Sequence, residues 1–147
     1  MSEHLEKTVE DAIVLATHAL TGQKDKVGLP VILHSMRVML ACNTPKQMMV
    51  AALHDVVEDS TISVEDLRKD GYPKDVCDAV DAMSRRNDET WEVFIERCSK
   101  NSLGATVKRI DISDNNSPIR QIGLPLEKRE KLRAKYQKAI KFLDGVE

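Results

Sequence analysis

Aromatic side chains are nearly missing from this sequence: Trp91, Tyr72, Tyr136, Phe94 and Phe142 are the whole set, 3% of the chain. A core must then rest on Leu, Ile, Val, Ala and Met, a composition that suits packed helices better than sheets. Cysteine is equally scarce. Cys42, Cys77 and Cys98 are odd in number and form no C-x-x-C pair, which excludes a disulfide framework and a cysteine metal site and leaves buried or idle thiols. No apolar run reaches the roughly 18 residues that a membrane span needs, and Glu3, Glu6, Lys7 and Glu10 crowd the start of the chain, so no membrane role and a cytoplasmic location are expected. An excess of positive charge is also lacking. Lys and Arg number 22 against 24 Asp and Glu, for a net charge of -2 and a pI of about 6.1, so nucleic acid is not expected as the main partner. A chain of 147 residues fits one domain, spanning 1–147, and no second catalytic domain is expected.

What is present is helical periodicity. Leu5, Val9, Ile13, Ala16 and Leu20 recur at steps of three and four and predict a first helix over Glu3–Leu20. The segment Thr21–Pro30, T-G-Q-K-D-K-V-G-L-P, predicts an ordered loop that leads into His34. Further helices are predicted over Val31–Cys42 and about Pro45–Asp59, then a short one capped by Ser63 and ending at Gly71, and another opened by Pro73 and running to about Met83. Ser84–Glu89 reads as a connection and Thr90–Ser99 as an amphipathic helix. Ser102 to about Asn115 reads as the helix carrying Asp111, with Pro118 ending it, and Leu126–Leu143 as a charged last helix. No strand pattern, repeat or low-complexity tract competes, so the fold class is all-α.

The block A-A-L-H-D-V-V-E-D, Ala51–Asp59, sets His54, Asp55, Glu58 and Asp59 directly after small and apolar residues. Ionised carboxylates are costly to bury unpaired, so these groups either face solvent or meet a positive charge. On a helix His54 and Glu58 are i,i+4 neighbours, and Asp55 and Asp59 form the adjacent i,i+4 pair. A cation near His54 and Asp55 would leave Glu58 and Asp59 one turn on, at a distance suited to a water or substrate. Taken alone, the block reads first as a solvated acidic helix end with a satisfied histidine. His34 in the preceding helix and Asp111 in a later one add weight to the metal reading, because a helical bundle could gather all four ligands around one ion. Two imidazoles and two carboxylates suit Mn²⁺, Fe²⁺, Zn²⁺ or a similar divalent ion, and spacing does not choose among them.

The order His34, His54-Asp55, Asp111 resembles the HD superfamily. Three longer stretches are similar to its alarmone-hydrolase branch, the RelA/SpoT hydrolase domain and the small stand-alone alarmone hydrolases: G-Q-K-D-K-V-G-L-P-V-I-L-H from Gly22, A-A-L-H-D-V-V-E-D-S-T from Ala51 and V-K-R-I-D-I-S-D-N-N from Val107. The resemblance implies a single-domain HD-type helical bundle around one Mn²⁺ or another divalent transition metal. It implies a small-molecule nucleotide substrate, with the 3′-diphosphate of guanosine tetra- or pentaphosphate released as pyrophosphate to leave GDP or GTP. By motif, His34, His54, Asp55 and Asp111 would bind the metal and Glu58 and Asp59 would be the catalytic acidic pair. Lys24, Lys26, Ser84, Arg86, Asn115 and Arg120 would contact substrate, although each also reads as a capping or surface residue.

The chain departs from the family pattern at Gln23, where arginine is common, at Val31 for tyrosine, at Ser35 for the proline after the first histidine, and at Asp114, where many relatives have histidine or another residue. These departures are expected around the substrate rather than the metal. Removal of phosphate from another nucleotide, such as a deoxynucleotide or a phosphorylated nicotinamide cofactor, stays open beside alarmone hydrolysis, as does a non-catalytic nucleotide-sensing module. Gly22–Gly28 is no P-loop, because the glycines are wrongly spaced and Leu29-Pro30 follows. His4 and His18 lack metal-site company, and the basic run from Lys128 to Lys141 reads as a solvated face. Oligomeric state is not legible.

Overall fold

A computed structural model describes residues 5–145, and in that range the chain folds into helices α1 (Val9–Leu20), α2 (Val31–Leu40), α3 (Pro45–Asp59), α4 (Val64–Asp70), α5 (Lys74–Met83), α6 (Trp91–Ser99), α7 (Ser102–Asn115), α8 (Pro118–Gln121) and α9 (Leu126–Leu143). No strand forms among the described residues, as the all-α reading requires; Lys24 and Pro30 make an isolated antiparallel bridge across the loop before α2.

Capping chemistry explains where these helices begin. Thr8 accepts the Asp11 amide and Asp11 accepts the Thr8 amide at 2.8 Å, so α1 starts at Val9. The predicted start at Glu3 lies outside the described residues; Leu5, placed on the apolar face by periodicity, is 81% exposed ahead of the helix. A second such box joins Ser63 and Asp66 at α4, which ends on Gly71 at φ 97°, a left-handed position that costs glycine least. Thr44, Thr90 and Asn101 cap α3, α6 and α7 through side-chain oxygens. Helix α2 stops at Leu40, short of the expected Cys42. Pro118 opens α8 instead of only ending α7, because a proline lacks the amide that a first-turn residue leaves unused.

Helix α3 is the centre of the bundle, packed against α1, α2, α5 and α7. Its residues Met49–His54 and Val56 are buried, and Ala51 and Ala52 let neighbouring helices approach closely. Val38, Leu67, Val76, Val80, Met83 and Val107 complete the main core, while Phe94, Ile95, Ile112 and Ala139 form a smaller one joining α6, α7 and α9. Cys42, Cys77 and Cys98 are all buried free thiols, as expected. No helix of the described residues is long and apolar enough to cross a membrane.

Candidate metal centre and its cavity

Helices α2, α3 and α7 each deliver one part of a buried cluster. His34 from α2, His54 from α3 and Asp111 from α7 are 3%, 2% and 2% exposed. Each offers a ligand atom, and these atoms lie within 4.8 Å of one another. His34 Nε2 is 2.7 Å and His54 Nε2 3.2 Å from the same oxygen, Asp111 Oδ1. Asp55 stands beside them, with one oxygen 3.2 Å from His54 Nε2 and the other 3.9 Å from His34 Nε2. Three of the four residues singled out by the sequence therefore converge, and Asp55 flanks them beside the two histidines.

The outer ring nitrogens explain why both histidines turn Nε2 inward. His54 Nδ1 is 2.7 Å from the Ala51 carbonyl and His34 Nδ1 is 2.5 Å from Asp114 Oδ2. A carbonyl and a carboxylate only accept, so each Nδ1 carries a proton, while each Nε2 faces the Asp111 carboxylate, where a cation would take the place of its proton. Charge points the same way. Burial opposes protonation of His54, but the Asp55 and Asp111 carboxylates outweigh it and push the imidazole up to about 10. Burial likewise opposes a charge on His34, and its hydrogen bonds to Asp111 and Asp114 raise it nonetheless. Asp111 is held well below the usual carboxylate range, against its burial, by Lys108 and His54. A pocket that pulls protons onto buried imidazoles is one that calls for positive charge, and its mixed nitrogen and oxygen donors fit a divalent metal ion.

Glu58 and Asp59, at the last turn of α3, remain within reach of solvent. Crowding by protein pushes both carboxyls upward, with Lys108 and His54 opposing this at Glu58 and Asp55 adding to it at Asp59. The water around them limits the size of these shifts.

Above the cluster opens a cavity of about 220 Å³ whose lining includes Lys24, Lys26, His34, Asp55, Asp59, Asn115 and Arg120, with Leu124, Leu132 and Tyr136 as a more apolar wall. Lys24 and Lys26 project from the Thr21–Pro30 loop. Asp25 holds that loop by accepting the Val27 and Leu29 amides at 3.0 and 2.9 Å, and it meets Arg120 at 3.3 Å. Ser84 and Arg86 are not among the cavity-lining residues. The Ser84 hydroxyl donates to the Val80 carbonyl, and the Arg86 guanidinium lies 3.6 Å from Asp81 while its amide donates to Glu89. Of the unassigned histidines, His18 lies in the last turn of α1, away from the cluster, and His4 is outside the described residues.

Some of the departures surround the metal site rather than the substrate, a correction to the sequence-based expectation. The Ser35 hydroxyl donates to Asp55 Oδ2 at 2.8 Å, and Asp114 holds His34. Lys108 is a further residue that pattern reading passes over. Its Nζ lies 2.8 Å from Asp111 Oδ2 and 5.0 Å from the Phe94 ring centre, 6% exposed. Its i,i+3 spacing to Asp111 was the available signal, and the burial of that face was not visible in the sequence.

No family model matches the chain. The guanosine-3′,5′-bis(diphosphate) 3′-pyrophosphohydrolase MESH1 of Drosophila melanogaster is 34% identical over 115 residues, which are 71% of this chain and 63% of that protein. The match thus spans less than two thirds of that relative's length. A solved structure, reported as a metazoan ortholog of SpoT that hydrolyzes ppGpp and plays a role in starvation responses, aligns with a TM-score of 0.74 at 24% identity, covering 97% of this chain and 86% of the other. The chain is thus similar in sequence to that alarmone pyrophosphohydrolase over the matched stretch and shares the fold of the solved structure.

Proposed function

We propose that the chain is a metal-dependent phosphohydrolase that removes the 3′-diphosphate of guanosine tetra- or pentaphosphate as pyrophosphate, leaving GDP or GTP, with Mn²⁺ as its metal. The observation that carries this reading is the convergence of His34, His54 and Asp111, with Asp55 beside them, under a cavity rimmed by Lys24, Lys26, Asn115 and Arg120. The curated relative's activity and the shared fold support it.

His34, His54, Asp55 and Asp111 would hold the metal. A divalent cation there supplies Lewis-acid charge that acidifies water and offsets the negative charge of the attacked phosphate. Glu58 takes the proton from the attacking water, and Asp59 passes a proton to the 3′ oxygen as the ester bond breaks. Lys24, Lys26 and Arg120 offset phosphate charge, and Asn115 offers an amide hydrogen bond. Tyr136, Leu124 and Leu132 supply the apolar side against which a base can lie.

A Mn²⁺-supplemented comparison of guanosine 3′-diphosphates with other nucleotides tests the proposal by identifying the phosphate species released. Pyrophosphate from the 3′ position is expected. Orthophosphate from a monoester, with guanosine 3′-diphosphates untouched, would replace the substrate with another nucleotide. No turnover of any nucleotide by the Mn²⁺-bound chain would make it a sensing module.

A further inference from the structure

We infer that Asp114, itself gripped by Arg37, is a positioning residue that fixes the His34 imidazole with Nε2 turned towards the metal point. The inference rests on the metal reading given above. It concerns a contact between residues of α2 and α7, not the ligand set itself.

The geometry is a matched pair of helix faces. His34 and Arg37 are i,i+3 on α2; Asp111 and Asp114 are i,i+3 on α7. The two faces oppose each other so that His34 lies between both carboxylates, Nε2 at 2.7 Å from Asp111 and Nδ1 at 2.5 Å from Asp114. Arg37 closes the outer side as a fork, its Nε 2.8 Å from Asp114 Oδ1 and its Nη2 3.0 Å from Oδ2. Planar guanidinium and carboxylate groups joined in this way leave little freedom to either. Asp114 is 13% exposed at its side chain, so water competes weakly for the carboxylate. His54 has only the Ala51 carbonyl at its outer nitrogen, a neutral partner. The two histidines thus differ in the charge behind them. A carboxylate fixes ring orientation and makes the inward nitrogen a better donor than a carbonyl does. Removing it would free the His34 ring to turn, whereas the backbone partner of His54 cannot be removed by substitution.

The test uses the metal-free full chain with Asp114→Ala, Asp114→Asn and Arg37→Ala, and measures the Kd for Mn²⁺ by titration calorimetry alongside the melting temperature without metal. Loss of an outer-shell partner of this kind typically weakens metal binding by about 10–100-fold, the result expected for Asp114→Ala. Asp114→Asn should recover most of the affinity, because its amide oxygen still accepts the Nδ1 proton, and Arg37→Ala should fall between them. In the Zn²⁺-loaded wild type, imidazole ¹⁵N signals should show the proton of His34 on Nδ1, a readout that needs no variant to fold. Metal affinity of Asp114→Ala within about threefold of wild type overturns the inference, as does a His34 protonated on Nε2. Equal loss of affinity in the Ala and Asn variants overturns it too. A wild-type chain that binds no divalent metal overturns both this inference and the metal reading beneath it, whereas metal binding without turnover overturns only the proposed activity.

Discussion

His54, Asp55, Glu58 and Asp59 share less than two turns of one helix, yet the packing around α3 divides their work. His54 is buried, while Glu58 and Asp59 reach the solvent-exposed end. Asp55→Ala is expected to abolish both Mn²⁺ binding and turnover. Glu58→Ala should retain the metal while losing about 10²–10⁴-fold in kcat, the usual worth of a positioned base. Calorimetry and steady-state kinetics on the two variants distinguish the roles, and equal metal loss in both would show the division to be wrong. Lys108 gives a second residue-scale prediction. Its ammonium faces Asp111 from 2.8 Å within the protein interior, so Lys108→Met leaves Oδ2 of that carboxylate unpaired, with only His34 and His54 to balance it, and should cost about 1–3 kcal/mol in urea unfolding of the metal-free chain. Mn²⁺ should restore part of the loss by supplying positive charge, and an unchanged unfolding midpoint would discount the pair. The contrast between these predictions marks what sequence can disclose. The H-D pair stands out because of its chemistry, whereas Lys108 looks like any helix lysine until the Trp91 and Phe94 rings of α6 lie against it.

At the scale of elements, capping signals transfer well from sequence to structure because they are local. Thr44, Ser63, Thr90 and Asn101 satisfy amides within three residues of themselves, and no distant contact is needed. Connections held by distant partners are less legible. The Ser84–Glu89 segment, read only as a polar link, is clamped by Arg97, which donates to Glu89 through Nε at 2.7 Å and to the Ser84 and Asp81 carbonyls at 2.7 and 3.0 Å. Hydrogen bonds from Arg97 and the Arg86 amide draw the Glu89 carboxyl down from 4.5 to about 2. A depressed folded-state value means that the clamp stabilises fully above about pH 4.5 and loses its effect as pH falls towards 2. Melting curves of wild type and Glu89→Gln should therefore differ by a constant amount from pH 8 down to about 5 and converge below about 4.5. A gap that is independent of pH throughout would show that Glu89 acts through packing alone.

For the whole molecule, the cluster joins α2, α3 and α7 across the main core, so a metal held there should resist their separation. At a free Mn²⁺ concentration of about 100 times Kd, binding adds about 2.7 kcal/mol to stability. This should raise Tm by roughly 5–10 °C for a chain of this size. Scanning calorimetry with and without a chelator checks this, and identical melting profiles would count against a metal between these helices. The sequence by itself determined the helical class, most helix starts and the chemical identity of His34, His54, Asp55 and Asp111, because periodicity, caps and titratable side chains are properties of neighbouring residues. Only the tertiary structure decided that Asp114 and Ser35 hydrogen-bond His34 and Asp55, that Lys108 is a buried counter-charge, and that Ser84 and Arg86 do not line the cavity. Those assignments depend on which helix faces meet across 77 to 80 residues of chain, as His34 meets Asp111 and Asp114. Such meetings are settled by the packing of the core, and no local spacing encodes them.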